Sequence, residues 1–333
     1  MLIKKLFFIA AGSFLVFFSG CSKTQNGTQP FPVTYTLGDI HKEGYPTVVG
    51  AQYFANLVKE RTGGRITIKI ESSGAAGEET AAIELVQFGK LDFARVSVSP
   101  LTTYSSDLNA LMVPFEYRDE EHFWKVLNGK IGKDLLESLQ DDGFYGLCYY
   151  DSGARSFYTT VSVQRIEDLR GLKIRVQESA LMMDFVTALG AIPSPMPLGD
   201  VLAALKKGTI NGAENNIPSY ETTGHYRVAR YYLLDEHSRI PDIIIASKKT
   251  LDKLSVADRE IIFQSALESV EVQRKAWDQY ENAAYQKVRK YGCSFISLNP
   301  SQNNTEVKDA LIGVNRRLSP AEQKLVKQIE SIK

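Results

Sequence analysis

The chain has 333 residues, with 39 basic and 39 acidic side chains, four histidines, three cysteines and 44% hydrophobic residues. The even charge balance, with no clustered Arg/Lys face, argues against nucleic acid as a partner. Beyond the N-terminal segment, about 310 residues remain, enough for one large or two medium domains.

Lys4 and Lys5 precede an almost wholly apolar run over 6–18, followed by Ser19, Gly20 and Cys21. This is the layout of a secretory signal, assigned to 1–20. The run is shorter than the roughly 20 apolar residues of a spanning helix, and a polar tract over 22–30 follows it. Phe18-Ser19-Gly20-Cys21 resembles a bacterial lipobox, which implies acylation of Cys21 and a lipid-anchored linker over 21–31; ordinary signal cleavage leaving a free thiol is the alternative. Several acyl chains hold a protein on a membrane where one does not. Cys148 and Cys293 lie in apolar strand-like runs and read as buried free thiols, with a disulfide as the alternative.

From Val33 the chain alternates strand-like and helical runs: a strand over 33–37, a helix over about 47–61, a strand over 65–70, a helix over about 78–88 and a strand over 91–96. That order predicts parallel strands with helices on both faces. Two helices separated near Gly129 are expected over 120–139, then strands over 144–150 and 156–161. A second alternation covers 172–176, 180–189, 193–196, 201–207 and 209–213. Two such units predict an α/β protein of two lobes, with one continuous sheet as the alternative. From Ser255 to Tyr291 there is no Gly or Pro, Ser255 with Asp258 reads as a capping box, and Gly292 supplies the stop. Ile262, Ala266, Val270, Trp277, Tyr280, Ala284 and Val288 recur at helical spacing, which predicts one long helix packed along both lobes; two helices broken near Arg274 are the alternative. A last helix begins at Ser319-Pro320-Ala321-Glu322, with cap, N1 proline and N3 acid in order.

The signatures of hydrolases, zincins and nucleotide-binding proteins are missing: there is no G-x-S-x-G, H-E-x-x-H, P-loop or G-x-G-x-x-G. His41, His122, His225 and His237 are far apart and lack ligand partners at i+3 or i+4. Surface or capping histidines are expected, although His41 lies just beyond the first strand, where ligands collect in α/β folds. No catalytic residue, metal or cofactor is called for.

The chemistry gathers in mid-chain. Gly153-Ala154-Arg155 precedes Asp168-Leu169-Arg170-Gly171-Leu172-Lys173-Ile174-Arg175-Val176. Leu189-Gly190-Ala191-Ile192-Pro193-Ser194-Pro195-Met196-Pro197 follows, then Ile210-Asn211-Gly212-Ala213-Glu214-Asn215-Asn216. This succession resembles the substrate-binding proteins of tripartite ATP-independent periplasmic (TRAP) transporters, the dicarboxylate-receptor (DctP-like) family. The resemblance extends over nearly the whole mature chain and includes Gly77-Glu78-Glu79, Gly89-Lys90-Leu91-Asp92, Val113-Pro114-Phe115 and Gly143.

The resemblance implies a two-lobed periplasmic-binding-protein fold with a hinge and the long helix. One lobe takes 32–152 plus about 240–280; the other takes 153–239 plus about 281–333. It implies an exported monomer that binds a small organic acid and hands it to the small and large membrane subunits of a transporter. By similarity, Arg175 matches the arginine that pairs with the substrate carboxylate, Arg155 a second arginine and Asn215 an asparagine that orients the ligand. Glu78 falls where some members use an acid on hydroxyls or amines. Ser97 stands where sialic-acid-binding members have an acid, which disfavours that substrate. His41, Tyr45 and Tyr220 are further pocket candidates. Asn216 departs from the family, where proline often follows the asparagine; here Pro218 comes later.

Arg175 can also be argued from physics. Strand alternation puts it with Lys173 on the face opposite Ile174 and Val176. A buried arginine is costly unless paired, and its planar fork matches a carboxylate. An internal acid is the alternative partner, and for Arg155 an interlobe salt bridge is equally open. A sugar acid such as a uronate is preferred as substrate because Glu78, Asn215 and Asn216 offer hydroxyl partners, with a C4-dicarboxylate next. An ATP-driven transporter's receptor and an exported lipoprotein enzyme are the rival functions.

Overall fold

The computed structural model describes residues 32–297 and 305–333; the signal segment, Cys21 and the linker lie outside the described residues. The strands are β1 (Val33–Gly38), β2 (Ile66–Glu71), β3 (Phe93–Ser97), β4 (Phe144–Tyr150), β5 (Ser156–Thr159), β6 (Lys173–Val176), β7 (Ile192–Pro195), β8 (Gly212–Asn215), β9 (Tyr231–Leu234), β10 (Asp242–Ser247) and β11 (Ser294–Ser297). They form two sheets, in the orders β2-β1-β3-β10-β4 and β11-β9-β5-β8-β6-β7. The helices are α1 (Pro46–Arg61), α2 (Glu79–Gln87), α3 (Val98–Leu101), α4 (Glu120–Asn128), α5 (Lys130–Ser138), α6 (Ala180–Ala188), α7 (Leu198–Lys207), α8 (Ile217–Thr222), α9 (Lys248–Leu251), α10 (Val256–Lys290), α11 (Thr305–Arg317) and α12 (Pro320–Ser331).

The two-sheet α/β architecture agrees with the sequence reading, but the first sheet is not all parallel. β1, β2 and β3 are parallel, whereas β10 runs antiparallel to both β3 and β4. The cause is where the chain re-enters. It leaves this sheet after Tyr150 and returns at Asp242, which pairs with Tyr150 and with Ser97 at the C-terminal ends of β4 and β3. A strand entering at the edge by which the chain left must run back the other way. The two crossings, 151–155 and 235–241, are tied together where the Arg155 amide donates to the Ser238 carbonyl at 2.8 Å.

α10 is one unbroken helix of 35 residues, about 52 Å at 1.5 Å per residue. It packs on α1 and β4 of the first sheet and on α8 beside the second, so the long helix does span both halves. On its first-sheet side Ile262 and Ala266 join Phe54, Val58, Leu37 and Ile244 in one buried cluster; further along, Val288 joins Tyr158, Tyr220, Tyr232 and Val201 in another. Ser255 caps the helix by accepting from the Asp258 amide at 3.0 Å. The reciprocal half of the expected capping box does not form, because the Asp258 carboxylate is held by Arg65 at 2.5 and 3.0 Å and by the Ser255 hydroxyl. At Ser319 both halves of the box are present.

The C-terminal tail, expected with the second lobe, makes contacts in both halves of the chain. α11 packs on α6, while α12 packs on the 106–111 turn, where Asn109 donates to Glu322 at 2.8 Å. Cys148 and Cys293 are buried free thiols in separate clusters. Among the described residues no helix is long and apolar enough to cross a membrane.

Candidate functional site

Both crossings and the C-terminal ends of β3, β6 and β8 meet at one cleft, the position where open α/β sheets gather ligands. It is lined from the first sheet by His41, Tyr45, Arg95, Ser97 and Asp242, and from the second by Arg155, Arg175, Gln177 and Asn215. Interlobe hydrogen bonds close it. Tyr45 Oη lies 3.0 Å from Ser219 Oγ, Ser99 Oγ donates to Gln177 Oε1 at 3.0 Å, and Thr80 Oγ1 donates to Glu178 at 2.6 Å.

Arg175 is 3% exposed. Its Nε and one Nη donate to the carbonyl of Met196 at 2.9 and 2.7 Å; among the described residues the other Nη has no acceptor and no carboxylate pairs with the group. Burial pulls its pKa below the ordinary arginine value. The internal-acid alternative is therefore not what the structure holds. Met196 comes from the end of the Leu189-Gly190-Ala191 segment, so that segment orients the guanidinium by one backbone oxygen.

Arg155 is equally buried and fully neutralised. Its Nε donates to Glu214 Oε2 at 2.5 Å and an Nη to Oε1 at 2.9 Å, while the other Nη donates to Asn215 Oδ1 at 2.9 Å. Burial would raise the Glu214 carboxyl, but Arg155 and then His237 bring it down to about 2. His237 in turn sits 2.7 Å from Asp235. Arg155 is thus salt-bridged, but to an acid of its own sheet's half and not across the lobes as the alternative had it, and its side chain still lines the cleft. Asn215 uses Oδ1 on Arg155 and on the Asn216 amide. Asn216 is the N-cap of α8 and donates from Nδ2 to the Ser152 carbonyl at 2.9 Å; Pro218 sits in that helix's first turn.

Glu78 is the residue before α2, and one carboxyl oxygen is buried without a partner. It lines a smaller extension of the cleft with Glu79, Arg175 and Gln177, and burial together with Glu79 raises its pKa. His41 stacks on Tyr45 with the rings almost parallel and their centroids 3.9 Å apart, and its Nδ1 lies 3.0 Å from Asp39. Ser97 caps α3.

Tyr220 corrects the sequence reading. It is fully buried in the second-sheet core, donating to the Ala229 carbonyl at 2.5 Å and touching Cys293, and it does not line the cleft. Its position on the inward face of α8 puts the ring among Tyr158, Tyr226 and Tyr232 instead. The histidines also differ from expectation: His122, His225 and His237 are buried and bonded to Ile329 O, Tyr158 Oη and Asp235 respectively.

Sequence reasoning missed Arg95, Asp39, Glu79 and Asp242. Arg95 is 2% exposed on β3 and touches Asp39 at 2.9 Å, Glu79 at 2.7 Å and Asp242 at 3.3 Å. A signal existed, because an arginine inside the apolar run Phe93-Ala94-Arg95-Val96 is the same anomaly that singled out Arg175. A larger cavity of about 460 Å³ lies on the other side of Tyr45. Its cations Lys42, Lys206 and Arg227 are exposed, and Lys287 is paired with Glu221, so the buried unpaired charge points to the smaller cleft as the site.

Comparison with known proteins gives a family and a set of relatives of the same fold. The family model described as bacterial extracellular solute-binding protein, family 7, matches residues 37–317. A solute-binding protein of Chromohalobacter salexigens is 35% identical over 75% of each chain, and the 2,3-diketo-L-gulonate-binding periplasmic protein of Escherichia coli is 32% identical over 68% of this chain and 70% of its own. A TRAP periplasmic solute-binding protein of Bradyrhizobium, in complex with D-galacturonate, superposes with a TM-score of 0.87 at 38% identity, covering 90% of this chain and all of that one. One from Pseudomonas putida with bound D-glucuronate superposes with a TM-score of 0.87 at 32% identity, over 90% and 98%.

Proposed function

We propose, from the premise that this chain belongs to family 7 of the bacterial extracellular solute-binding proteins, that it captures a sugar-acid monoanion, a uronate first, and delivers it to the membrane subunits of a TRAP transporter. One observation carries the reading: Arg175 is buried, and among the described residues no carboxylate is in hydrogen-bond or salt-bridge contact with it. A buried charge left in that state is costly, and an incoming carboxylate relieves the cost through two parallel hydrogen bonds. Relatives that bind galacturonate, glucuronate and diketogulonate support the choice of acid.

In this reading the protein does no chemistry. The halves 32–152 plus about 240–280 and 153–239 plus about 281–333 close about the crossings at 151–155 and 235–241. The ligand is gripped between Arg175, Arg155 and Asn215 on one side and His41, Ser97 and Arg95 on the other, with Glu78 at the end of the cleft. Closure removes water and strengthens every charge contact inside. Cys21 carries the lipid anchor that keeps the receptor near its transporter, and the receptor acts as a monomer.

The test is calorimetric titration of the mature chain with D-glucuronate and D-galacturonate. Wild type is expected to bind at least one of them, and Arg175→Ala to lose about 3–5 kcal/mol of binding, or roughly two to four decades of affinity. Near-normal uronate affinity in that variant would remove the role given to Arg175.

A further inference from the structure

We infer that the cleft selects a sugar acid carrying one carboxylate and rejects the corresponding diacid, because its first-sheet wall surrounds a single guanidinium, Arg95, with the carboxyl groups of Asp39, Glu79 and Asp242. The inference rests on the sugar-acid reading above and adds which end of the ligand each wall reads.

The two walls are electrostatically opposite. On the second-sheet wall, Arg155 and Glu214 cancel, leaving Arg175 as a cation with no acidic partner. On the first-sheet wall three carboxyl groups stand within 2.7–3.3 Å of one arginine. His41 does not redress the balance. Its Nδ1 lies between an Nη of Arg95 at 2.8 Å and Asp39 Oδ1 at 3.0 Å, and burial lowers its pKa below the ordinary histidine value, which leaves the ring uncharged at neutral pH. Asp242 and Glu79 both line the cleft alongside Arg95.

Hydrogen-bond polarity points the same way. Arg95 is 2% exposed, yet its Nε has no partner among the described residues. A sugar hydroxyl beside this group can accept from the guanidinium while donating its own proton to Glu79, or to Asp242 in its ionised form, burial pushing the Asp242 carboxyl up to about 7. A carboxylate can accept but has no proton to give, and it would bring a further negative charge against a wall already rich in carboxyl groups, where water is excluded and repulsion is strong. This is specificity built by penalising the wrong ligand as well as rewarding the right one. The first-sheet wall is therefore a hydroxyl reader, with Asp242 and Glu79 as the residues that set the discrimination.

Calorimetry on the mature chain at neutral pH, with three ligands of one configuration, tests this: the uronate, the aldaric diacid and the parent aldose. The diacid is expected to bind about 100-fold more weakly than the uronate. Asp242→Asn is expected to narrow that ratio about tenfold, with Glu79→Gln as the second variant should the first fail to fold. A wild-type diacid affinity within about threefold of the uronate's overturns the inference while leaving the sugar-acid reading intact. So does an unmoved or widened ratio in variants that still bind uronate. If the aldose binds as well as the uronate, or none of the three binds, the sugar-acid reading itself fails and the selection argument falls with it.

Discussion

Arg155 and Arg175 flank the same strand, β8, and are both 3% exposed, yet they are different objects. Glu214 on β8 turns its carboxylate to Arg155, which is bonded on all three nitrogens by Glu214 and Asn215. Arg175 has only a carbonyl oxygen. A buried cation neutralised from within is framework, because removing it strands its partner; one left without an anion is a place for a ligand. The difference lies in which way one side chain of β8 points, and it separates the two roles more sharply than burial or sequence context does.

The comparison is broken most forcefully by truncating each arginine and following stability rather than binding. Arg155→Ala should destabilise the fold by about 3–5 kcal/mol, because buried Glu214 loses its two-pronged partner and keeps only His237, 3.8 Å away. Arg175→Ala should leave stability unchanged or raise it, since an uncompensated charge is removed. Urea melts of the two variants against wild type measure this, and equal losses would show that Arg175 is framework too.

The Arg155 network extends to His237, which sharpens the comparison through pH. Burial alone would lower the His237 pKa, but Asp235 and Glu214 raise it to about 9, against about 6.5 in an unfolded chain. The folded protein therefore holds a proton that the unfolded chain has lost. The stabilisation is complete below about pH 6.5 and disappears as the pH rises through about 9, worth at most about 3 kcal/mol. Melts of wild type should lose stability over that window, and His237→Gln should flatten the decline; identical slopes would detach His237 from the network.

The smallest effect is expected at Tyr220. Tyr220→Phe deletes the bond to the Ala229 carbonyl and should cost about 1 kcal/mol of stability with no change in uronate affinity. A loss of affinity would restore the ring to the pocket.

Much of this site was legible, for a definite reason. Arg175, Arg155, Asn215, His41 and Ser97 all reach the cleft, and Glu78 its extension; the β-α-β alternation locates the strand ends that carry Arg175 and His41, whereas Arg155, Asn215, Ser97 and Glu78 were legible only through the family resemblance. Tyr220 was misplaced because the inward face of a six-residue helix leaves too little periodicity to read. Arg95 was overlooked although its sequence context matched that of Arg175. Asp242 could not have been placed, since β10 enters the first sheet from a crossing with no repeat or cap to announce it.

The chain by itself determined most of the elements from Val33 to Ala213, with strand and helix order from hydrophobic period, the starts of α10 and α12 from Ser caps, and the length of α10 from the absence of Gly and Pro. These depend on interactions between residues a few positions apart. Only the tertiary structure decided that β10 lies between β3 and β4, that Glu214 serves Arg155 instead of Arg175, and that three carboxyl groups converge on Arg95. Those outcomes join residues 16 to 153 positions apart in the chain, from the Arg95–Glu79 pair to Ala246 against Phe93, and no local preference encodes which distant partner a buried charge will meet.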